Sequence, residues 1–397
     1  MLAVPRRSTE RIATLTALSI TVVLLLAIWQ LAGPDSESQA LSLSLLGGAV
    51  FGLLLQRSRF CFFCVTRDFI EQRKPEGLLG IIAALAVGTL GYHAVFGAFL
   101  PDPVSGRLPP DAHVGPLSWV LALAATLFGI GMALSGSCIS AHLYRLGEGA
   151  FASVFALLGA LLGFVLGFLC WNPLYLLSIQ AAPVVWLPNW HGYGVSLVLQ
   201  LLLLAGLAGL AGWLLTYHRS GAQVIQPLRS LKQVLFGQRW PTWVGGVLIG
   251  FLATLAYLRV GPLGVTAELG SVARTSASDL GWLPERMEGL DGFSGCATVI
   301  KETLLSNNGL FILGLVAAAW ASALVAGDFQ PRRPSANELM RNLLGGVLLG
   351  LGSMLALGCT VGTLLSGIMA GAASGWLFGL FCLLGIVLGL PLRRLWS

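Results

Sequence analysis

The sequence predicts an all-α polytopic membrane protein with about 9–11 transmembrane helices, built as two inverted pseudo-repeats with short re-entrant helices. Three observations predict it. First, 56% of the 397 residues are hydrophobic and only 10% are charged, against about 25% charged in a soluble domain. Second, Leu-rich runs of roughly 20 residues recur along the whole chain, the length a helix needs to cross a bilayer. Third, basic residues crowd into alternate connections, as the positive-inside rule requires.

Taken in order, the apolar runs lie near residues 12–32, 41–56, 77–100, 116–134, 150–177, 194–217, 242–258, 309–327, 342–357 and 373–390. The first follows Arg6, Arg7 and Arg11 and lacks a small-residue cleavage site, so it reads as a retained helix rather than a signal peptide. With the N-terminus placed in the cytoplasm, all of the 23 Lys and Arg residues except Arg107, Arg259, Arg274, Arg286 and Lys301 fall on the cytoplasmic side. Both termini are therefore expected inside. The same asymmetry accounts for the net charge of +6, so no nucleic-acid partner is inferred; the lipid bilayer is the expected surroundings. Trp186 and Trp190, in the outer segment "APVVWLPNWHGYG", suit an interfacial aromatic belt.

The chain resembles itself. "GIGMALSGSCIS" (129–140) aligns without a gap on "GLGSMLALGCTV" (350–361), matching Gly129, Gly131, Leu134 and Cys138 to Gly350, Gly352, Leu355 and Cys359. Five spans separate the two copies, an odd number, so they run in opposite directions. A fainter echo relates "GLLLQRSRFCF" (52–62) to "YLRVGPLGVT" (257–266). The expected organisation is an extra helix in 1–40, a first half-repeat in 41–217, a cytoplasmic linker in 218–241 and an inverted half-repeat in 242–397 with a long outer loop at 259–308. Gly136 and Gly358 break their helices at low steric cost, and the segments 137–149 and 360–372 read as half-membrane helices.

Seven cysteines, odd in number and scattered, do not form a disulfide framework. Cys170 and Cys382 sit in apolar runs as small packing residues. Cys138 and Cys359, in register at inverted breaks, point to thiols facing a narrow central path. A neutral thiol is polarizable and weakly hydrogen-bonding, which suits a soft sulphur-bearing anion better than a hard oxyanion. A helix N-terminus beside it adds positive potential. "RFCFFC" (59–64) has a C-x-x-C spacing, but no second pair or nearby His completes a zinc set, so neither metal nor cofactor is expected. Arg57, Arg59 and Arg67 anchor the cytoplasmic face and draw anions. Cys296, in another "SGC", and Thr266 and Glu268 belong to the outer loop, either as a vestibule or as a structural lid. His142 follows Cys138 by four residues and shares its helical face. No orienting group accompanies the pair, so no catalytic residue is assigned.

"QRSRFCFFCVTRDF", "GIGMALSGSCISAHLYRLGEG" and "LGGVLLGLGSMLALGCTVGTLLSGI" resemble the YeeE/YedE sulphur-transport family of bacterial inner-membrane proteins. The resemblance runs from about Gly47 to Leu390. It implies an hourglass of two inverted halves and uptake of thiosulfate, with selenium compounds as the alternative substrate. It also implies a line of functional cysteines at Cys61, Cys138 and Cys359. The candidate path residues are thus Cys61, Cys138, Cys359 and Cys296, with Gly136, Gly358, Ser137, Thr360 and Thr266. The implied partners are a small inorganic sulphur anion and a separate cytosolic sulfur-carrier protein. A rival reading is a membrane thiol–disulfide or sulfur-transfer oxidoreductase using Cys61 and Cys64; a third is a membrane subunit without a pathway of its own. Ser137 in place of Gly, Ala141-His142, Cys64, Cys296 and the long outer loop depart from the family pattern.

Overall fold

Four of the long helices begin where a side-chain oxygen takes over a backbone N–H. Asp35 accepts from Ser38 N, and Ser118, Ser306 and Ser335 cap their helices in the same way, relieving the unpaired donors of the first turn. In a computed structural model, which describes residues 6–218, 239–290, 300 and 306–396, the helices are α1 (Arg6–Leu31), α2 (Ser36–Ser58), α3 (Phe62–Gln72), α4 (Glu76–Phe99), α5 (Trp119–Ser135), α6 (Ile139–Gly147), α7 (Ala152–Leu174), α8 (Leu187–His218), α9 (Thr242–Arg259), α10 (Thr266–Asp279), α11 (Asn307–Ala326), α12 (Ala336–Leu355), α13 (Thr360–Met369) and α14 (Ala373–Leu395). Among the described residues nine helical stretches are long and apolar enough to cross a membrane, or ten if α12 and α13, bent by 44° at their junction, count as one span. The protein is an all-α multi-pass membrane protein. Cys296, Lys301 and most of the linker 218–241 lie outside the described residues.

The main helix contacts come in matched sets. α2 packs on α11 and α4 on α9; α5 packs on α14 and α7 on α12; α5 and α12 meet at the centre. Glycines bring these backbones together. A Cβ on Gly52 would overlap the Leu315 carbonyl of α11, and one on Gly246 the Gly80 carbonyl of α4. Gly129 stands in the same relation to Cys382 of α14, and Gly350 to Ala160 of α7. Lipid tails supply no hydrophobic drive between helices, so close van der Waals packing of this kind holds the bundle.

Two expectations change. The stretch 259–308 carries α10, whose residues Thr266, Ala267, Glu268, Gly270 and Ser271 are buried; it packs mainly on α7. Its apolar content is low, so hydropathy alone reads it as a loop. Trp186 is not an interfacial residue: it is 1% exposed, and its Nε1–H donates to the Ala370 carbonyl at 2.8 Å, closing the end of α13. Trp190 is exposed, as a belt residue should be. Trp186→Phe keeps the ring but leaves that buried carbonyl without its donor. The expected loss is about 1–3 kcal/mol, read as a lower unfolding temperature in detergent.

Candidate substrate path

Four long helices start at oxygen caps, but three short ones start at cysteines. Cys61, Cys138 and Cys359 are the N-cap residues of α3, α6 and α13, each with extended backbone and no side-chain cap hydrogen bond. α10 also starts without a side-chain cap, at Val265, whose backbone is already helical rather than extended. The Cys138 thiol lies near the Ala141 amide, and the Cys359 thiol near those of Val361 and Gly362, without capping geometry. These helix starts keep donor N–H groups and their share of the helix dipole directed toward the space the thiols occupy.

The breaks before the thiols require special backbone. Gly136 has φ 88°, a left-handed conformation, and its neighbour space is filled: a Cβ there would sit 3.2 Å from Arg393 Nη1. Gly358 has φ 155°, and a Cβ would overlap Thr363 Oγ1. At these breaks two residues with side chains also take positive φ, Arg59 (49°) and Leu357 (54°), which costs energy that the surroundings must repay. Arg59 is held by Glu148 at 3.7 Å, and Gln56, fully buried, donates to Glu148 at 3.4 Å and Asp328 at 3.1 Å.

These turns bring the thiols together. Cys61 Sγ and Cys138 Sγ are 3.9 Å apart, and Cys138 Sγ is 3.2 Å from Ser140 Oγ. The Cys359 thiol lies against the Thr266 hydroxyl at the start of α10. Cys138, Ser140 and Thr360 line one cavity of about 20 Å³ with Phe60 and Phe62. Beyond the start of α13, Thr363 lines a second cavity of about 20 Å³ with His113, Ser118, Leu357 and Ser374. Ser137 is buried, and its hydroxyl donates to the Gly136 carbonyl at 2.7 Å. His142 does not pair with the Cys138 thiol; its Nδ1 meets Ser153 Oγ at 3.1 Å.

A family model described as "Sulphur transport" matches residues 57–388. The chain belongs to this sulphur-transport family. It is 25% identical over 366 residues to the thiosulfate transporter TsuA of Escherichia coli (strain K12), covering 86% of this chain and 91% of the relative. It is 29% identical over 352 residues to the thiosulfate transporter TsuA of Spirochaeta thermophila, covering 86% and 95%. A probable transporter, YedE of E. coli, matches at 28% over 183 residues, covering 46% of this chain and 43% of its own length. Membership of this family makes the protein a transporter rather than an oxidoreductase.

Within this sulphur-transport chain, three residues outside the candidate path stand beside the thiols. Cys64 follows Cys61 by one helical turn, and their thiols lie near each other; that i, i+3 spacing is visible in the sequence. Arg145, two turns after Cys138, reaches Cys64 Sγ with Nη2 at 3.5 Å. Arg393 comes from the far end of the chain, and no local pattern announces it. Of the arginines expected to draw anions, Arg57 is buried and lines a pocket with Trp240 and Ser322, Arg59 pairs with Glu148 and Arg67 with Asp68 at 2.7 Å.

Proposed function

We propose that this chain carries thiosulfate, or a closely related sulphur anion, into the cytoplasm along a line of thiols running from Cys359 past Cys138 to Cys61. One observation carries the reading: two thiols from different helix starts meet at 3.9 Å, each at the positive end of a helix without a side-chain cap. A terminal sulphur can exchange weak S–H···S contacts along such a line while the N–H dipoles balance the charge. Among the described residues no Lys or Arg lines the cavity shared by Cys138 and Thr360, so an anion there is held by dipoles and released readily. The relatives named as thiosulfate transporters support the choice of anion.

The inverted arrangement belongs to this reading. Exchanging α2–α7 for α9–α14 in order turns the α2–α11 pair into α9–α4 and the α5–α14 pair into α12–α7, and all four pairs are major contacts. The same exchange sets Cys138 opposite Cys359 and Cys61 opposite Val265, beside Thr266. Both termini lie in the cytoplasm of a bacterial inner membrane in this scheme, where a separate sulfur carrier takes up the product. Each cavity has room for about one water, so the structure is closed, and the Phe60 and Phe62 rings must shift for an anion to pass.

The test is uptake of radiolabelled thiosulfate by the purified chain in liposomes, with sulfate, sulfite and selenite as competitors. Saturable thiosulfate uptake, poorly inhibited by sulfate, is the expected result. Liposomes that move sulfate as well as thiosulfate would overturn the sulphur-selective reading, and liposomes that move neither would overturn transport itself.

A further inference from the structure

Below the thiol pair the structure holds positive charge that it does not neutralise. Arg145 donates from Nη1 to the Gly136 carbonyl at 3.4 Å and from Nη2 to Cys64 Sγ at 3.5 Å. Arg393, from the end of α14, lies over the Phe63 ring at 5.5 Å from its centroid and fills the space beside Gly136. Its Nη1 is shut off from solvent and has no hydrogen-bond partner, as does Nε of Arg341. Arg341, Arg67 and Arg145 all stand close enough to repel Arg393. The nearby carboxylates are engaged elsewhere: Asp68 with Arg67 at 2.7 Å, Glu71 with Arg394 at 2.9 Å, and Glu148, which also feels Arg145, with Arg59 at 3.7 Å. Among the described residues no carboxylate pairs with Arg145, Arg341 or Arg393. Gathered guanidinium groups without counter-charges repel one another, and an anion relieves that repulsion.

We infer that Cys64, Arg145 and Arg393 form an anion station at the end of the thiol line, built for a small oxyanion that carries a terminal sulphur. This deepens the proposed transport reading and rests on it for the direction of travel. The Cys64 thiol, near that of Cys61 and 3.5 Å from Arg145 Nη2, receives the soft end of the anion. Arg145 and Arg393 face the oxygen end, where planar N–H forks suit oxyanions. The division of labour is physical. Dipoles and thiols in the middle hold an anion weakly; full charges at the end draw it out of the narrow part and give it a place to rest before release.

The station can be tested without transport. In the full-length protein in lipid nanodiscs, Cys64 is modified by an anionic sulfonatoethyl methanethiosulfonate and, separately, by neutral methyl methanethiosulfonate, with rates read by peptide mass spectrometry. The anionic-to-neutral rate ratio at Cys64 is expected to fall about tenfold in Arg145→Gln and in Arg393→Gln, the effect of one partly screened charge a few ångströms away. Arg393→Lys is expected to keep most of it. Added thiosulfate is expected to protect Cys64 better than the same concentration of sulfate. Equal ratios in wild type and both Gln variants would overturn the station, and equal protection by sulfate would overturn its preference for sulphur anions. If the ratio falls while liposomes move no thiosulfate, the transport reading fails and the site stands; normal uptake with unchanged ratios leaves transport standing without this site.

Discussion

Cys138→Ala is expected to cut thiosulfate uptake by about 100-fold, equivalent to on the order of 2.7 kcal/mol on the passage barrier, while insertion and yield stay normal. Cys138 is the thiol that touches both Cys61 at 3.9 Å and Ser140 at 3.2 Å, and it lines a cavity together with Thr360 from the start of α13. Removing its sulphur leaves a gap in the line that no other side chain spans. The cost to folding is small, about 1 kcal/mol, because a single heavy atom is lost from a buried site. Cys138→Ser separates hydrogen bonding from softness: a hydroxyl donates more strongly but is less polarizable, so uptake is expected to recover only in part. Cys359→Ala should match Cys138→Ala. Radiolabel uptake in liposomes, normalised to reconstituted protein, reads all three. Wild-type uptake by Cys138→Ala and Cys359→Ala at equal reconstitution would remove the thiols from the mechanism.

Gly350→Val is expected to be the most damaging change to the fold itself. Gly350 on α12 faces α7 so closely that an added Cβ would lie 2.7 Å from the Ala160 carbonyl carbon and 2.9 Å from its Cα. Backbone cannot yield as a side-chain tip can, so the two helices must part. That separation also loosens Gly346 against Ala156 and Gly163 against Val347, which lie along the same seam. The loss is expected at about 3 kcal/mol, the upper end of overpacking costs, in a bundle whose helices cohere through such packing. Thermal unfolding in detergent, followed by size-exclusion chromatography, measures it. Gly206→Val is the control: that glycine on α8 has nothing within 4 Å of its added Cβ. Equal melting of the two variants would mean the seam does not hold α7 to α12.

Much was written in the sequence. Composition and run length established a helical membrane protein, because no soluble chain tolerates 56% hydrophobic residues with 10% charged. The gapless match between 129–140 and 350–361 marked both breaks, and the structure puts a helix N-cap at each matched cysteine. These features are local or periodic, and a linear reading detects them. Three things escaped it. α10 is polar enough to read as a loop, since its buried face meets other protein rather than lipid. Trp186 looks the same in sequence whether it lies at an interface or donates to Ala370 in the interior. Arg393 comes to lie over Phe63 and beside Gly136 from the far end of the chain.

By itself the sequence determined what this protein is made of: membrane-spanning helices, glycines where backbones approach, and thiols at repeated breaks. Only the tertiary structure decided which thiols touch and which charges stand beside them. The reason is physical. Periodicity and hydropathy record what each helix presents to lipid or to protein, but the meeting of Cys61 with Cys138 at 3.9 Å, and of Arg145 with Cys64 at 3.5 Å, depends on how separate helices stack, and that is settled by packing between residues far apart in the chain.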